Sequence, residues 1–254
     1  MSPLERILLG AAIWVALVLI ARWVVVPLLR QGPDRDPAKV LLWRACQVYA
    51  WLIHRVRYEG ESEIRRRIHP GGVVVVSNHT SSIDPVLVQC GCSFAIRWLM
   101  ARDMMISQLD WLWDLQAIIP VSRDGADSRP VREAIRHVRA GGAVGIFPEA
   151  RIVRPRGEIR PFSPGVGAIV ARTGAPVLLV WLSGTPEVDN MTQAFFTPSR
   201  SKVVYIELVR FAESDSPTQI TEQLRQRLSQ VSRWPLNDEP MPALSDDDAL
   251  ALTA

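Results

Sequence analysis

Four consecutive valines, Val73–Val76, constrain the fold more than any other stretch of the chain. A β-branched run without polar alternation predicts a strand buried on both faces, which is typical of a parallel sheet covered by helices. Similar apolar runs predict further strands at 94–100, 117–121, 143–147, 176–182 and 203–209, with helices at 130–139, 165–173 and 218–231. This alternation predicts an α/β domain over residues 58–236, with a mostly parallel central sheet flanked by helices.

The first 57 residues follow a different, strongly apolar pattern. Residues 7–29 read ILLGAAIWVALVLIARWVVVPLL and are interrupted only by Arg22. At ~1.5 Å per residue they could cross a hydrocarbon core of ~30 Å, and no signal-peptide cleavage site follows them. Nothing nearby is apolar enough to enclose them as the core helix of a soluble domain. Arg22 leaves open whether the segment spans the bilayer or re-enters it.

A second apolar stretch, residues 40–53, carries three aromatic side chains and fits an interfacial helix. We predict that residues 1–57 form a two-helix membrane platform. Basic residues follow the first segment, so we expect the rest of the chain on the cytoplasmic side of the inner membrane. The tail from Asn237, residues 237–254, is expected to be flexible. The three cysteines form no metal-binding pattern and are expected to be reduced, mostly buried thiols.

A polar turn follows the valine strand, and it places His79 five residues before Asp84. Ligands of open α/β sheets bind beyond the carboxyl ends of the strands, which is where this turn should lie. Ser81 or Ser82 can cap the next helix, with Pro85 in its first turn. Asp84 could then fold back onto the imidazole and leave the other ring nitrogen free as a base. A pair alone does not decide, since Asn78, His79 and Asp84 could simply stabilise the turn.

The wider pattern resembles the glycerolipid acyltransferase family, which makes phosphatidic acid from 1-acyl-sn-glycerol-3-phosphate. The stretch NHTSSID (78–84) resembles the family's NHx4D motif. Three further blocks follow in the family's order: IIPVSR (118–123), IFPEARI with GEIRPF (146–152 and 157–162), and APVLLV (175–180). The resemblance covers roughly residues 70 to 185.

The resemblance implies an O-acyltransferase in which His79 is the general base and Asp84 orients it. The acyl donor would be acyl-CoA or acyl-carrier protein, and the acceptor a lysophospholipid at the bilayer; no cofactor, metal or nucleic acid is implied. The sequence contains no GxSxG elbow, the feature that would indicate a serine hydrolase. The implied substrate-binding residues, with Arg102 standing where relatives have lysine, are Asn78, Arg102, Arg123, Glu149 and Arg151.

Three departures from the family pattern leave the acceptor open. Ala150 stands where glycine is usual, Leu179 replaces a common proline, and Gln116–Ala117 replaces an early glycine. Another acceptor, such as a lyso-ornithine lipid, and a non-catalytic lipid-binding relative are the alternatives. We expect the histidines His54, His69 and His137 to be structural or surface residues, and Arg154, Arg156 and Arg160 to belong to a solvated loop.

Overall fold

The computed structural model of the protein describes residues 2–20, 22–23, 26–27, 32–34, 36–60, 64, 71–122, 127–188 and 190–240. The described strands are β1 Arg57–Gly60, β2 Val73–Ser77, β3 Ile96–Ala101, β4 Ile119–Val121, β5 Ala143–Ile146, β6 Val177–Ser183 and β7 Lys202–Val209. The described helices are α1 Pro3–Ile20, α2 Pro37–Leu52, α3 Asp84–Gly91, α4 Asp110–Leu115, α5 Arg129–Arg139, α6 Gly165–Thr173, α7 Met191–Phe196 and α8 Pro217–Ser232.

The seven strands form one sheet in the order β1-β7-β6-β2-β5-β3-β4. Every pairing is parallel except β6 with β7, which is antiparallel and shifts register between Leu179 and Val180. The predicted α/β fold with a mostly parallel sheet is therefore confirmed. The valine strand β2 lies at the centre, between β5 and β6, and all five of its residues are buried.

The alternating side chains of β2 supply two separate cores. Val74 and Val76 pack into the core beneath α5, α6 and α8. Val73 and Val75 pack into the other core, beneath α2 and α3. Helices therefore cover both faces of the sheet, as a continuous β-branched strand requires, and α2 and α5 lie on opposite faces.

The N-terminal helices differ in how they meet the domain. α1 is long and apolar enough to cross a membrane, and none of its residues is buried. It begins four residues earlier than the predicted segment and ends at Ile20, so Arg22 lies beyond it. α2 is anchored on α3, because Trp43 Nε1 donates to the Gln89 carbonyl (3.1 Å) and Gln47 Nε2 to the Cys90 carbonyl (2.8 Å).

The start of the predicted tail is held by the domain. The Asn237 backbone N–H donates to the Ile159 carbonyl, and its side chain donates to Glu158. The Arg225 guanidinium lies 2.8 Å from the Asp238 carboxylate. The rest of the predicted tail, residues 241–254, lies outside the described residues. The three cysteines are free thiols, as predicted, with Cys90 and Cys92 buried.

Candidate active site

The predicted polar turn ends β2 at the carboxyl edge of the sheet, and α3 follows it directly. The predicted serine cap is wrong: Ile83 occupies the N-cap position, without a side-chain hydrogen bond to the helix. Pro85 does lie in the first turn, and Asp84 is the first residue of α3. The Asp84 side chain turns back towards the preceding loop, as the sequence predicted.

His79 and Asp84 form a hydrogen-bonded pair. The His79 Nδ1 atom lies 3.0 Å from Asp84 Oδ2. The same oxygen accepts from the backbone N–H groups of Thr80 (2.6 Å) and Ser81 (2.8 Å). Because Oδ2 is held as an acceptor, the imidazole proton belongs on Nδ1, which leaves Nε2 with a lone pair. The Asp84 side chain is fully buried, whereas 17% of the His79 side chain is exposed.

An aromatic stack fixes the plane of the imidazole. The His79 and Phe147 rings lie 4.1 Å apart between centroids and 17° from parallel. Trp98 stacks on the other side of Phe147, at 4.8 Å and 10°. Phe147 therefore packs directly against the histidine. The ring can therefore present Nε2 in one fixed orientation.

Glu149 lies beneath this loop and is almost completely buried. Its Oε2 atom accepts from the backbone N–H of His79 at 2.8 Å. Burial raises the pKa of Glu149 to about 8, with the nearby Asp84 carboxylate adding to the rise and the His79 hydrogen bond opposing it. The sequence placed this residue at the site, and the structure joins it to the histidine through the backbone.

Asn78 is also part of the loop, but its side chain is engaged inside the protein. Its Oδ1 accepts from the Leu182 N–H (2.8 Å), and its Nδ2 donates to the Leu182 carbonyl (2.9 Å). These paired bonds tie the start of the loop to β6. The substrate-binding role given to Asn78 remains a prediction, and the structure adds a positioning role beside it.

Two arginines that the sequence assigned to a solvated loop hold residues 78–83 in place. We call this segment, which carries His79 between β2 and α3, the histidine loop. Arg154 and Arg156 both donate to the Thr80 carbonyl, at 2.9 and 2.8 Å. Arg156 also donates to the carbonyls of Thr185 and Pro186. The expectation of solvated side chains is wrong for this pair. The only hint of this contact in the sequence was the repeated arginine between IFPEARI and GEIRPF, since the acceptor lies more than seventy residues earlier in the chain.

Two of the remaining predicted binding residues, Arg102 and Arg151, follow strands at the same edge. Arg102 is exposed in a short 3-10 turn directly after β3, and Arg151 is partly exposed two residues after Glu149. Arg123 lies outside the described residues. Ala150 has a φ of 63°, the left-handed conformation that glycine adopts without strain. The backbone at Ala150 therefore has the positive φ for which the family's usual glycine is suited.

The fold and the site together define an α/β protein with a histidine–carboxylate pair at the rim of a parallel sheet. Such a pair can accept a proton from a bound hydroxyl or thiol group. The sequence profile of the Acyltransferase family matches residues 55–183, which include β2, the histidine loop, β5 and β6. The chain belongs to this family.

Individual relatives agree with that assignment. A chloroplastic 1-acyl-sn-glycerol-3-phosphate acyltransferase of Brassica napus is 26% identical over 151 residues, covering 58% of this chain and 42% of the relative. A 1-acyl-sn-glycerol-3-phosphate acyltransferase of Borreliella burgdorferi is 28% identical over 152 residues, covering 57% of this chain and 58% of the relative. The chain spans about half the length of the curated relatives it matches.

A solved structure shares the fold over most of its length. The crystal structure of the 1-acyl-sn-glycerophosphate acyltransferase PlsC from Thermotoga maritima superimposes with a TM-score of 0.61. The match covers 87% of this chain and 91% of that chain, at 23% sequence identity. At this identity the likeness establishes the architecture, including its helix-flanked parallel sheet.

Proposed function

We propose that the chain is a membrane-bound O-acyltransferase that moves an acyl chain from acyl-CoA or acyl-carrier protein to the sn-2 hydroxyl of 1-acyl-sn-glycerol-3-phosphate, giving phosphatidic acid. The observation that carries the proposal is the 3.0 Å contact between His79 Nδ1 and a fully buried Asp84 carboxylate. Family membership and the activities for which the relatives are named support the choice of reaction and acceptor.

The reaction needs a base and a thioester but no covalent acyl-enzyme. His79 Nε2 removes the proton of the acceptor hydroxyl as its oxygen attacks the thioester carbonyl. The carbon–sulfur bond then breaks, and the leaving thiolate takes the proton from Nε2. Asp84 holds Nδ1–H throughout and stabilises the positive charge that develops on the ring. The stacked Phe147 keeps the ring from turning away between these two steps.

The acceptor's phosphate calls for positive charge at the same edge. Arg102 and Arg151 follow the carboxyl ends of β3 and β5 and supply guanidinium groups there. A guanidinium fork binds two phosphate oxygens at once, which would fix the glycerol backbone against the histidine. Arg123 keeps its predicted role in the same contact. Glu149 supports this arrangement by holding the His79 backbone.

The membrane setting follows from the apolar N-terminus. α1 can reach into a bilayer, and α2 exposes Leu41, Val48 and Leu52 on the side away from the sheet. A membrane below α2 would keep the acyl chains of the acceptor close to the enzyme. We place the α/β domain at the cytoplasmic surface of the inner membrane, in keeping with the basic residues that follow the first helix.

The decisive test uses membranes that contain the full chain, a radiolabelled palmitoyl donor supplied both as palmitoyl-CoA and as palmitoyl-acyl-carrier protein, and a panel of lysolipids. We expect conversion of 1-acyl-sn-glycerol-3-phosphate to phosphatidic acid, and a loss of roughly 10³-fold or more for His79→Ala. The matched control is His137→Ala, which alters a histidine on α5 outside the site. Turnover of a different lysolipid alone would reassign the acceptor. Absence of turnover with every lysolipid, or full activity of the His79→Ala variant, would overturn the proposal.

A further inference from the structure

A row of arginines runs along the exposed face of α5. Arg129, Arg132, Arg136 and Arg139 are all exposed, at spacings of three, four and three residues that bring them to one side of the helix. Over ten residues the row is ~15 Å long. The formal net charge of the chain is only +3, so four arginines in one short helix concentrate positive charge there. We call these four residues the α5 arginine row.

Most of this charge is not neutralised within the protein. Glu133 lies among the arginines but pairs with Arg97 at 2.6 Å, and Asp127 pairs with Arg129 at 3.0 Å. In the described part of the chain, no carboxylate lies within salt-bridge distance of Arg132, Arg136 or Arg139. The hydrogen-bond acceptors of two of them are neutral: Arg132 donates to the Ser128 hydroxyl and Arg139 to the Arg172 carbonyl. Three guanidinium groups are therefore available to an external anion.

The row begins at the rim that carries the site. α5 follows β4, so its first turn lies near the carboxyl edge of the sheet, and the helix then runs towards the opposite edge. Hydrogen bonds from Arg129 lower the pKa of the Asp127 carboxyl, and the positive charge of Arg102 lowers it further. Arg102 is thus close enough to Asp127 for its charge to act on that carboxyl. The row connects the predicted phosphate-binding edge to the outer surface.

The row also lies on the side of the sheet away from the membrane. α5 packs on the core face opposite α2, whose exposed residues are apolar. A bilayer in contact with α1 and α2 would leave α5 in the aqueous phase. Anionic headgroups of that bilayer are therefore poor candidates for the ligand, and a soluble anionic partner fits better.

We propose that the α5 arginine row docks an acidic protein surface that presents the acyl thioester, which makes an acyl-carrier protein the donor. This inference rests on the proposed acyl transfer. The phosphates of a free acyl-CoA form one compact group on its nucleotide, whereas the row spreads its positive charge over ~15 Å, the length of an acidic helix of three turns. Complementary charge along a helix speeds encounter and fixes the register of the partners. The docked carrier would direct its thioester across the rim towards His79.

The experiment compares three proteins reconstituted as full chains in lipid nanodiscs. They are the parent, the row variant Arg132→Glu with Arg136→Glu, and a control with the same charge change, Arg57→Glu with Arg210→Glu. The control arginines are exposed near the other end of the sheet, on β1 and after β7. Binding of holo-acyl-carrier protein from the same genome is measured directly by fluorescence anisotropy, and thermal unfolding verifies that each protein is folded. Arg132→Gln with Arg136→Gln is the milder variant if charge reversal disturbs α5.

We expect the row variant to bind the carrier roughly tenfold more weakly or worse, the neutral variant to show a smaller loss, and the control to match the parent. Added salt should weaken parental binding more than that of the row variant. Equal binding by the row variant and the parent, or no parental binding, would overturn the docking proposal.

Turnover separates this proposal from the proposed function. With palmitoyl-acyl-carrier protein as donor the row variant should show a donor KM raised roughly tenfold, while its kinetics with palmitoyl-CoA stay unchanged. An equal rise in KM for both donors would mean that the row binds a group common to them, which overturns protein docking. Charge-sensitive carrier binding without any acyl transfer would retain the docking surface and refute the acyltransferase function instead. Turnover with palmitoyl-CoA alone would refute the docking surface and retain the function.

Discussion

At the residue scale, the histidine loop is restrained at more points than its chemistry alone demands. Asp84 holds Nδ1 of His79, Phe147 stacks on its ring, and Glu149 holds its backbone N–H. The His79 backbone carbonyl accepts from the Val153 N–H at 3.0 Å. In the proposed mechanism, a base fixed in this way needs little reorganisation when a hydroxyl arrives, which is the main advantage of a preorganised site.

The arginine contacts with Thr80 test this view of the loop. Arg156→Lys keeps a positive charge but loses the fork of bonds to the carbonyls of Thr80, Thr185 and Pro186. We expect kcat to fall roughly tenfold with little change in the acceptor KM, because the base is displaced and the phosphate contact is not. Steady-state kinetics with lysophosphatidic acid measure this. Arg160→Lys is the control, since Arg160 pairs with Glu158 away from the loop. A change confined to KM would assign Arg156 to the acceptor instead.

Glu149 gives a prediction in pH. Its folded-state pKa of about 8 lies above the ordinary value of about 4.3, so between these values the folded chain keeps a proton that the unfolded chain releases. Stability should therefore fall as pH rises from 5 to 8. Glu149→Gln retains an acceptor for the His79 N–H but cannot ionise, and should remove this component, leaving the variant more stable than the parent at pH 8.5 by an amount on the order of a few kcal/mol.

The check is the difference in unfolding midpoint between the parent and Glu149→Gln from pH 5 to pH 9, in one detergent. A difference that stays constant across this range would show that Glu149 ionises normally in the folded protein. Catalytic activity is not needed for this measurement, so it is independent of the proposed reaction.

Sequence reasoning at this scale succeeded where partners are close along the chain. His79 and Asp84 are five residues apart, and a strand followed by a helix leaves little freedom for how they meet. It failed for Arg154 and Arg156, because their acceptor, the Thr80 carbonyl, approaches only once β2 and β5 pair in the sheet. A backbone carbonyl also carries no side-chain identity that a sequence pattern could reveal.

At the element scale, the predicted strands correspond to buried apolar runs, and the missed elements lack such a run. β2 and β5 are wholly buried and were predicted within one residue at each end. β1 reads RYEG at the sheet edge and is mostly exposed, and α7 has only six residues. Edge strands and single-turn helices depend on tertiary contacts more than on periodicity. The antiparallel entry of β7 likewise depends on a connection whose geometry the pattern does not specify.

The junction between α2 and β1 contains a buried histidine whose ionisation should affect folding. His54 Nε2 lies 2.8 Å from the Tyr49 hydroxyl, which donates to the Phe195 carbonyl, and His54 Nδ1 lies 2.9 Å from the Ser199 hydroxyl. Burial lowers the pKa of His54, partly offset by a hydrogen bond with the Phe195 backbone. These bonds connect α2 to α7 and to the segment before β7, so a positive charge there would weaken the attachment of α2.

The sign of the effect follows from that lowered pKa. Below the ordinary histidine pKa of about 6.5, the unfolded chain binds a proton that the folded chain resists, so stability should fall as pH drops from 7 to 5. His54→Gln keeps a donor for Tyr49 but cannot be protonated, and should lose this component. Comparison of the two unfolding midpoints at pH 5, 6, 7 and 8 measures it. His137→Gln serves as a comparison, because burial lowers the pKa of that histidine too, but His137 lies on α5 and does not attach α2. Parallel curves for the parent and His54→Gln would contradict the prediction.

At the scale of the whole molecule, the sheet separates two surfaces of opposite character. The α2 side exposes apolar residues, while the α5 side exposes arginines. The His79–Asp84 pair lies at the rim between them, and the proposed function would bring a lipid acceptor from one side and a water-soluble donor from the other together there. The sequence predicted the apolar platform from composition, whereas the separation of the two surfaces required the order of the strands.

Membrane attachment should therefore depend on α2 as well as on α1. Deletion of residues 1–35 removes α1 but keeps Asp36, whose side chain caps α2 by accepting from the Ala38 N–H. We expect this truncated protein to bind vesicles more weakly, yet still measurably, because Trp51 and Leu52 at the end of α2 remain 66% and 57% exposed. Adding Trp51→Glu and Leu52→Glu should lower the vesicle-bound fraction by a further factor of roughly ten for each side chain, since burial of a large apolar side chain stabilises by ~1.5–3 kcal/mol.

Leu208→Glu with Val231→Glu, which alters exposed apolar residues on β7 and α8, is the matched control and should leave binding unchanged. Sedimentation with sucrose-loaded vesicles measures the bound fraction. Equal release by the control pair would show that general negative charge expels the protein, whereas complete release by the deletion alone would leave α1 as the sole anchor and remove α2 from the membrane surface.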